Sequence, residues 1–502
     1  MLPDIVIGSG PAGVSVATAL LARGRSVVML DGGKDLPPDA EARRALMAAT
    51  PPERWTKAQR DAWQAGQFDG GGEARRFGSA YAMEPAEVTF SEPDGLMLRE
   101  SRAVGGLSNF WGSAMLPYRQ ADMEGWPISA TDLVPHYAAV MDFVPMAGVE
   151  DALAPLFPSV PMGGRSPVAP DPQARTTLMR HRGTRTFTLG LARQAVAPGC
   201  TGCGMCLHGC PWRLIWSASQ QVARLREQVG FTHLPGAPVV RITESGDEVV
   251  AHRADGTAIR GARAYLAAGV LGTAAIMLRS QPDLEALTMR DSAQGFLPTI
   301  QTARTDAAPD RMPYHTLPQM FAELTDPAVS AHTVHAQLYG WNEFYERDLQ
   351  ANYGRKIPFS GPLWRGLSRR LVVAQIFLHS DHSAEVGLRL APDGRLRAKV
   401  DPNPATYTVL KVAAAAMGRH FRRTGLQPLT FALRPGAVGS GFHAGSTLPM
   451  AATPGPGQSD LTGRPFGWQR LHVVDASVLP AIAATTITLA VMANAHRIGA
   501  RG

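Results

Sequence analysis

The chain holds only four cysteines among 502 residues, all inside one short segment, so no disulfide framework spread over the fold is expected. No stretch reaches eighteen uninterrupted apolar residues, and no membrane span is expected. Runs of five or more like charges are also missing. The basic residues are mostly scattered arginines, so the net charge of +7 reads as general surface basicity and not as a nucleic-acid site. An acidic partner or anionic substrate would gain some steering from it. The first strand opens at Asp4 and leaves no room for a charged leader and cleavage site, which makes a cytoplasmic protein the expectation.

What is present is ordinary for a soluble enzyme, with 45% apolar and 18% charged residues. The length exceeds what one simple core holds, so two or more domains are expected. The clearest motif lies at the start. Asp4-Ile-Val-Ile-Gly-Ser-Gly-Pro-Ala-Gly13 is a strand and a Gly-x-Gly-x-x-Gly turn, followed by a small-residue helix and the strand Arg25-Ser-Val-Val-Met-Leu-Asp31. Gly8 suits the tight turn, Gly10 admits a pyrophosphate to the backbone, and Gly13 allows close helix–sheet packing. The helix N-terminus offers free N–H groups to phosphates. Asp31, with Gly32 after it, is placed to accept hydrogen bonds from a ribose. This context predicts dinucleotide binding.

A second glycine-rich stretch reads Arg102-Ala-Val-Gly-Gly-Leu-Ser-Asn-Phe-Trp-Gly-Ser113. Gly105 and Gly106 permit close approach to a flat ligand, Ser108 and Asn109 offer hydrogen bonds, and Trp111 offers a packing surface. Trp126-Pro-Ile-Ser-Ala-Thr-Asp-Leu-Val-Pro-His-Tyr137 follows. Together with the first motif, these segments resemble the glucose–methanol–choline (GMC) oxidoreductase family. The resemblance implies a Rossmann-like FAD domain assembled from discontinuous segments and an α+β substrate domain with an antiparallel sheet. Some relatives attach FAD through a histidine just before the Trp. Phe110 stands there in this chain, which predicts non-covalent FAD.

Pro198-Gly-Cys-Thr-Gly-Cys-Gly-Met-Cys-Leu-His-Gly-Cys-Pro211 spaces Cys200, Cys203, Cys206 and Cys210 by two, two and three residues. That is the bacterial ferredoxin run for iron–sulfur ligation. With no further cysteine, either all four bind one [4Fe–4S] cluster, or three bind a [3Fe–4S] with the fourth aside. Tetrahedral zinc and unmetallated thiols are the alternatives. Some bacterial sugar and glucoside dehydrogenases of the family carry a cluster in a similar segment. His208, inside the run, reads as a packing or hydrogen-bonding residue.

The remaining segments follow the resemblance. Pro238-Val-Val-Arg-Ile242 reads as a strand, and the family's equivalent would put Val240 beside the adenine. Gly261–Leu278 reads as a strand turning into an apolar helix. Residues 285–430 carry strand-like runs such as Leu371–Leu378, with a helix over Ala405–Arg423. Tyr339, Trp341 and Tyr345 there are candidates for a pocket wall, with core packing the more frequent role. The resemblance divides the chain into FAD-binding parts at 1–120, 196–284 (with the iron–sulfur loop) and 435–502, a connecting part at 121–195 and a substrate domain at 285–434.

Near the end, Gly441-Phe-His-Ala-Gly-Ser-Thr-Leu-Pro-Met450 resembles the family's histidine motif. It makes His443 the candidate base, since a neutral imidazole suits removal of a hydroxyl proton. In Leu471-His-Val-Val-Asp-Ala-Ser-Val-Leu-Pro480, Asp475 and Ala476 would face the ribityl and pyrophosphate. A final helix over Thr485–Arg497 would direct its dipole at the flavin. Thr488 takes the place of the family's motif threonine, but the usual second Asn or His falls near Ala484, leaving Thr485 or Thr486 as possible substitutes. Three functions compete: an FAD and iron–sulfur dehydrogenase of a sugar or glycoside alcohol, delivering electrons to a quinone, cytochrome or ferredoxin; a flavin–cluster reductase of a double bond or carbonyl; and a non-catalytic electron-transfer flavoprotein.

Overall fold

Apolar runs without alternation build the first sheet. A computed structural model describes residues 2–64, 88–90, 96–353 and 361–501. Asp4–Ile7 is wholly buried and pairs in parallel with Val27–Leu30 on one side and Arg263–Leu266 on the other. Phe231–Leu234 and Leu471–Val473 add the two edges, giving five parallel strands from segments far apart in the chain. Parallel strands covered on both faces need apolar residues throughout. The helix Pro11–Ala22 follows the first strand and packs on the last helix, Thr488–Arg501. A Cβ on Gly499 would come 2.9 Å from Val16, so the two helices approach as closely as they do only with glycine there.

The second large sheet is antiparallel. Its main path runs Leu426–Pro428, Gln294–Gln301, Leu371–Phe377, Val334–Tyr339, Met320–Leu324, Phe187–Leu191. Here the strands alternate. Val334, Ala336 and Leu338, with Val372, Ala374 and Ile376, lie in one core with Leu410, Ala413, Met417 and Phe421 of the helix Thr406–Thr424. The opposite face carries His335, Gln337 and Tyr339, and Gln375 and Phe377, as the period of two requires. A third sheet, Val239–Ser245, Glu248–Arg253 and Ala258–Gly261, is a small antiparallel meander.

The last helix begins at Thr488, three residues beyond the expected Thr485. The preceding segment is held by tertiary bonds. The Thr486 hydroxyl accepts from the Leu116 N–H at 2.7 Å, and Ile482 exchanges hydrogen bonds with Ser380. The polar excursion at 34–75 contains helices Pro38–Ala48 and Lys57–Gln64, and its residues 65–75 lie outside the described residues. Among the described residues no helix is long and apolar enough to cross a membrane.

Candidate active site

A cavity of about 1180 Å³ runs between the parallel sheet and the antiparallel sheet. Gly8, Gly10, Asp31, Gly32, Gly106, Ser108, Trp111, Val240, Asp475, Ala476, Thr488 and His443 all line it. Gly13, Gly105 and Asn109 are not in its wall.

The missing three support the wall from behind. A Cβ on Gly13 would lie 2.0 Å from the Gly8 carbonyl oxygen, so glycine there is what lets the helix sit on its turn. Gly105 has φ +94°, and the Asn109 amide donates to the Val104 and Gly106 carbonyls at 2.9 Å. By contrast, a Cβ on Gly10 would meet nothing within 4 Å. Its bareness serves whatever occupies the cavity and not the packing of the chain itself.

Asp31 fits a ribose. Its Oδ1 accepts from the Gly33 N–H at 2.7 Å, whereas Oδ2 is buried without a hydrogen bond among the described residues, with His233 Nε2 4.0 Å away. Burial pushes its carboxyl up to about 7. An acceptor kept dry and unfilled at a nucleotide-binding turn is what two ribose hydroxyls would complete. Asp475 is engaged with the chain. It accepts from the Thr273 hydroxyl at 2.6 Å and from the Ser477 N–H at 2.9 Å, tying the last strand to the helix Val270–Ser280.

His443 sits at the other end. The residue before it, Phe442, has φ +57°, a left-handed backbone uncommon for an aromatic residue. The His443 carbonyl accepts from the Ser292 N–H at 3.0 Å, and its ring stacks on Phe377 at 4.8 Å between centroids. Nδ1 is buried without a hydrogen bond among the described residues, and His443 lines the cavity. Desolvation, and secondarily the nearby His335, lower its pKa to about 3, so the ring is neutral. His335 is itself fully buried and bonded to Glu323 at 2.7 Å. Thr486 reaches the cavity, but its hydroxyl is taken by Leu116. Thr485 is buried outside the wall. The antiparallel sheet contributes Gln294, Gln337 and Gln375 as polar side chains of the same wall. Of the three aromatic candidates, Tyr339 lines the cavity, while Trp341 packs against Tyr314 and Tyr345 is absent from the wall.

Cys200, Cys203, Cys206 and Cys210 line one small separate pocket with Val168, Val196, Ile215 and Leu317. Gly202 and Gly204 have positive φ, and a Cβ on either would come 2.5 Å from Pro313 or Tyr314. The loop is thus pressed onto its neighbour with only glycine at the contacts. Burial raises the Cys203 thiol to about 12 and the Cys206 thiol to about 11, with the other cysteines adding to the shift. No three of these meet within 4.8 Å; among the described residues only His332, His379 and Asp381 do. In that trio the imidazoles stack at 3.7 Å, and His379 Nδ1 accepts the Asp381 N–H, so it is a capped stack. His208 pairs with Glu343 at 3.2 Å and is not among the thiol pocket's walls. Trp111 lines the large cavity and packs against the apolar cluster of Ala147, Val196, Ile215 and Leu317, on which Cys206 and Cys210 also pack. Its indole N–H donates to the Trp216 carbonyl at 2.8 Å.

The glycine-rich turn and the neutral His443 imidazole thus line one cavity. Residues 396–495 match the family model described as GMC oxidoreductase. The whole chain shares its fold with a solved structure, the pyridoxine 4-oxidase from Mesorbium loti. The TM-score is 0.56 at 15% identity, and the match covers 100% of this chain and 99% of that one. No curated protein matches the sequence. Residues 396–495 thus carry the C-terminal region of a GMC oxidoreductase, and the chain as a whole has the fold of that solved structure.

Proposed function

We propose that the chain oxidises an alcohol of a sugar, glycoside or sugar derivative to a carbonyl, with non-covalent FAD as hydride acceptor. His443 is the base. In this reading four cysteines hold an iron–sulfur cluster that passes electrons to a quinone, cytochrome or ferredoxin. Residues 1–120, 196–284 and 435–502 form the FAD-binding unit, and 285–434 with 121–195 form the substrate side.

The carrying observation is that the neutral His443, its ring stacked on Phe377 and its carbonyl held by Ser292, lines the same cavity as the glycine turn. Such a group takes a hydroxyl proton while the carbon loses hydride. Gly8, Gly10 and the helix N-terminus at Pro11 would take the pyrophosphate, Asp31 the ribose, and Val240 the adenine side. Gly106, Ser108, Trp111, Ala476 and Thr488 would border the rest of the cofactor. Phe110 lines the cavity and offers no nucleophile, which supports dissociable flavin. Bound FAD would supply the two-electron acceptor.

The cluster reading is supported by the ferredoxin spacing of four thiols that line one pocket, and by Trp111, which lines the large cavity and packs on the same apolar cluster as Cys206 and Cys210. A one-electron centre beside a two-electron one favours a dehydrogenase over an oxidase. The test is anaerobic purification with iron, sulfide and zinc analysis, EPR, and turnover with and without an added acceptor. The proposal expects iron, sulfide and acceptor-dependent turnover. Stoichiometric peroxide at full rate without an acceptor would refute the dehydrogenase, and zinc in place of iron would refute the cluster.

A further inference from the structure

The substrate wall of the cavity carries a hydrogen-bond relay whose direction is fixed. The Ser440 hydroxyl donates to the Ala437 carbonyl at 2.6 Å, so its oxygen must accept from its other neighbour. That neighbour is Gln294, whose Nε2 donates to Ser440 at 2.7 Å. Gln294 Oε1 therefore faces Gln375 and accepts from its Nε2. The Gln375 amide is thereby oriented, and its Oε1 is left as an acceptor in the cavity wall. On the next strand, the Tyr339 hydroxyl donates to Gln337 Oε1 at 3.0 Å, leaving Gln337 Nε2 as a donor.

Gln337 and Gln375 stand directly opposite in the antiparallel pair. Directly opposed residues have Cβ atoms about 5 Å apart. Phe377 is two residues beyond Gln375 on the same face, about 7 Å along the strand. It is the ring stacked on His443. An acceptor and a donor thus lie side by side one pleat from the base. On this sheet face the cavity wall is otherwise aromatic, and none of its described residues is charged. The charged lining residues, such as Asp31, Arg99 and Arg279, come from other segments.

We infer that Gln375 and Gln337 are a hydroxyl-recognition pair. The substrate is then a neutral ring compound that carries a second hydroxyl beside the carbinol presented to His443, with an apolar face laid on the aromatic wall. This rests on the reading of His443 as the base of an alcohol oxidation. A pyranoside and a hydroxymethyl pyridine bearing a ring hydroxyl both have this chemistry.

The test uses the flavin-loaded protein, with binding read from perturbation of the flavin spectrum and oxidation from its anaerobic bleaching. The probes are methyl glucopyranoside and its monodeoxy analogues, pyridoxine and its analogue without the ring hydroxyl, and glucosamine and gluconate. In the wild type, removing the second hydroxyl should weaken binding roughly tenfold, and so should adding a charge. Gln375→Leu and Gln337→Leu should each erase the preference between the hydroxyl-bearing and deoxy compounds while flavin stays bound. Whichever parent compound binds tighter assigns the source. Equal binding of parent and deoxy compounds by the wild type, preference for a charged probe, or no binding of any probe would overturn the inference. Discriminating binding without bleaching by any alcohol would refute the oxidation reading and leave the recognition pair standing.

Discussion

The two ends of the cavity are built on opposite plans. At the glycine-turn end Gly8, Gly10 and Gly32 expose backbone, and the buried Asp31 carboxyl keeps one oxygen without a hydrogen bond among the described residues. At the His443 end the chain supplies side chains from a sheet face, with amides and aromatics held in register and the His443 ring stacked on one of them. A universal cofactor can be recognised by backbone shape, and a particular substrate needs a particular row of side chains.

The sharpest way to break the comparison is within the glycines. Gly13→Ala puts a Cβ 2.0 Å from the Gly8 carbonyl oxygen and should cost about 3 kcal/mol or more, seen as a lower Tm and loss of flavin. Gly10→Ala meets nothing in the chain, so the flavin-free Tm should be unchanged while FAD affinity falls. If both variants lowered the flavin-free Tm alike, the division between packing and ligand glycines would be wrong.

At the substrate end, His443→Ala should slow flavin reduction by about 10² to 10⁴-fold with FAD still bound, measured by anaerobic stopped flow. Because burial holds the imidazole pKa to about 3, the wild-type rate should not fall from His443 protonation between pH 8 and pH 5. A loss of rate centred near pH 6.5 would contradict that. Cys206→Ser should strip iron and acceptor-linked turnover while leaving flavin reduction by the alcohol intact. Equal damage to both steps would erase the separation between the two sites.

The smallest effect belongs to Asp31. Its carboxyl is raised to about 7 by burial, and ribose donors favour the ionised form. FAD affinity should therefore fall with acidification, by at most tenfold per pH unit below about pH 7, and level off above it. Isothermal titration of flavin-free protein across that range reads the slope; Asp31→Asn should flatten it.

How much of this was legible depends on sequence distance. The first strand, turn, helix and second strand are contiguous, and glycine spacing with an acid at the end marks them. Helix Thr406–Thr424 also stands where the apolar spacing over Ala405–Arg423 puts it, because its buried face is set by its own residues. The last helix starts late because Thr486 is held by Leu116, a contact no local pattern carries. The glutamines were missed for the same reason. Each strand's alternation puts one Gln on the polar face. Only pairing across residues 294, 337 and 375 shows that the amides meet. Tyr339 reaches the cavity as the last residue of its alternating strand, and Trp341 falls beyond that strand's end.

The central claim is that the alcohol's carbinol hydrogen leaves while the His443 imidazole takes the hydroxyl proton. It is tested most directly by anaerobic flavin bleaching with an alcohol deuterated at the carbinol carbon, compared with the unlabelled alcohol. The account predicts that the label slows bleaching, and that His443→Ala slows both alcohols while flavin stays bound. Bleaching at one rate for both isotopes and both proteins would contradict it.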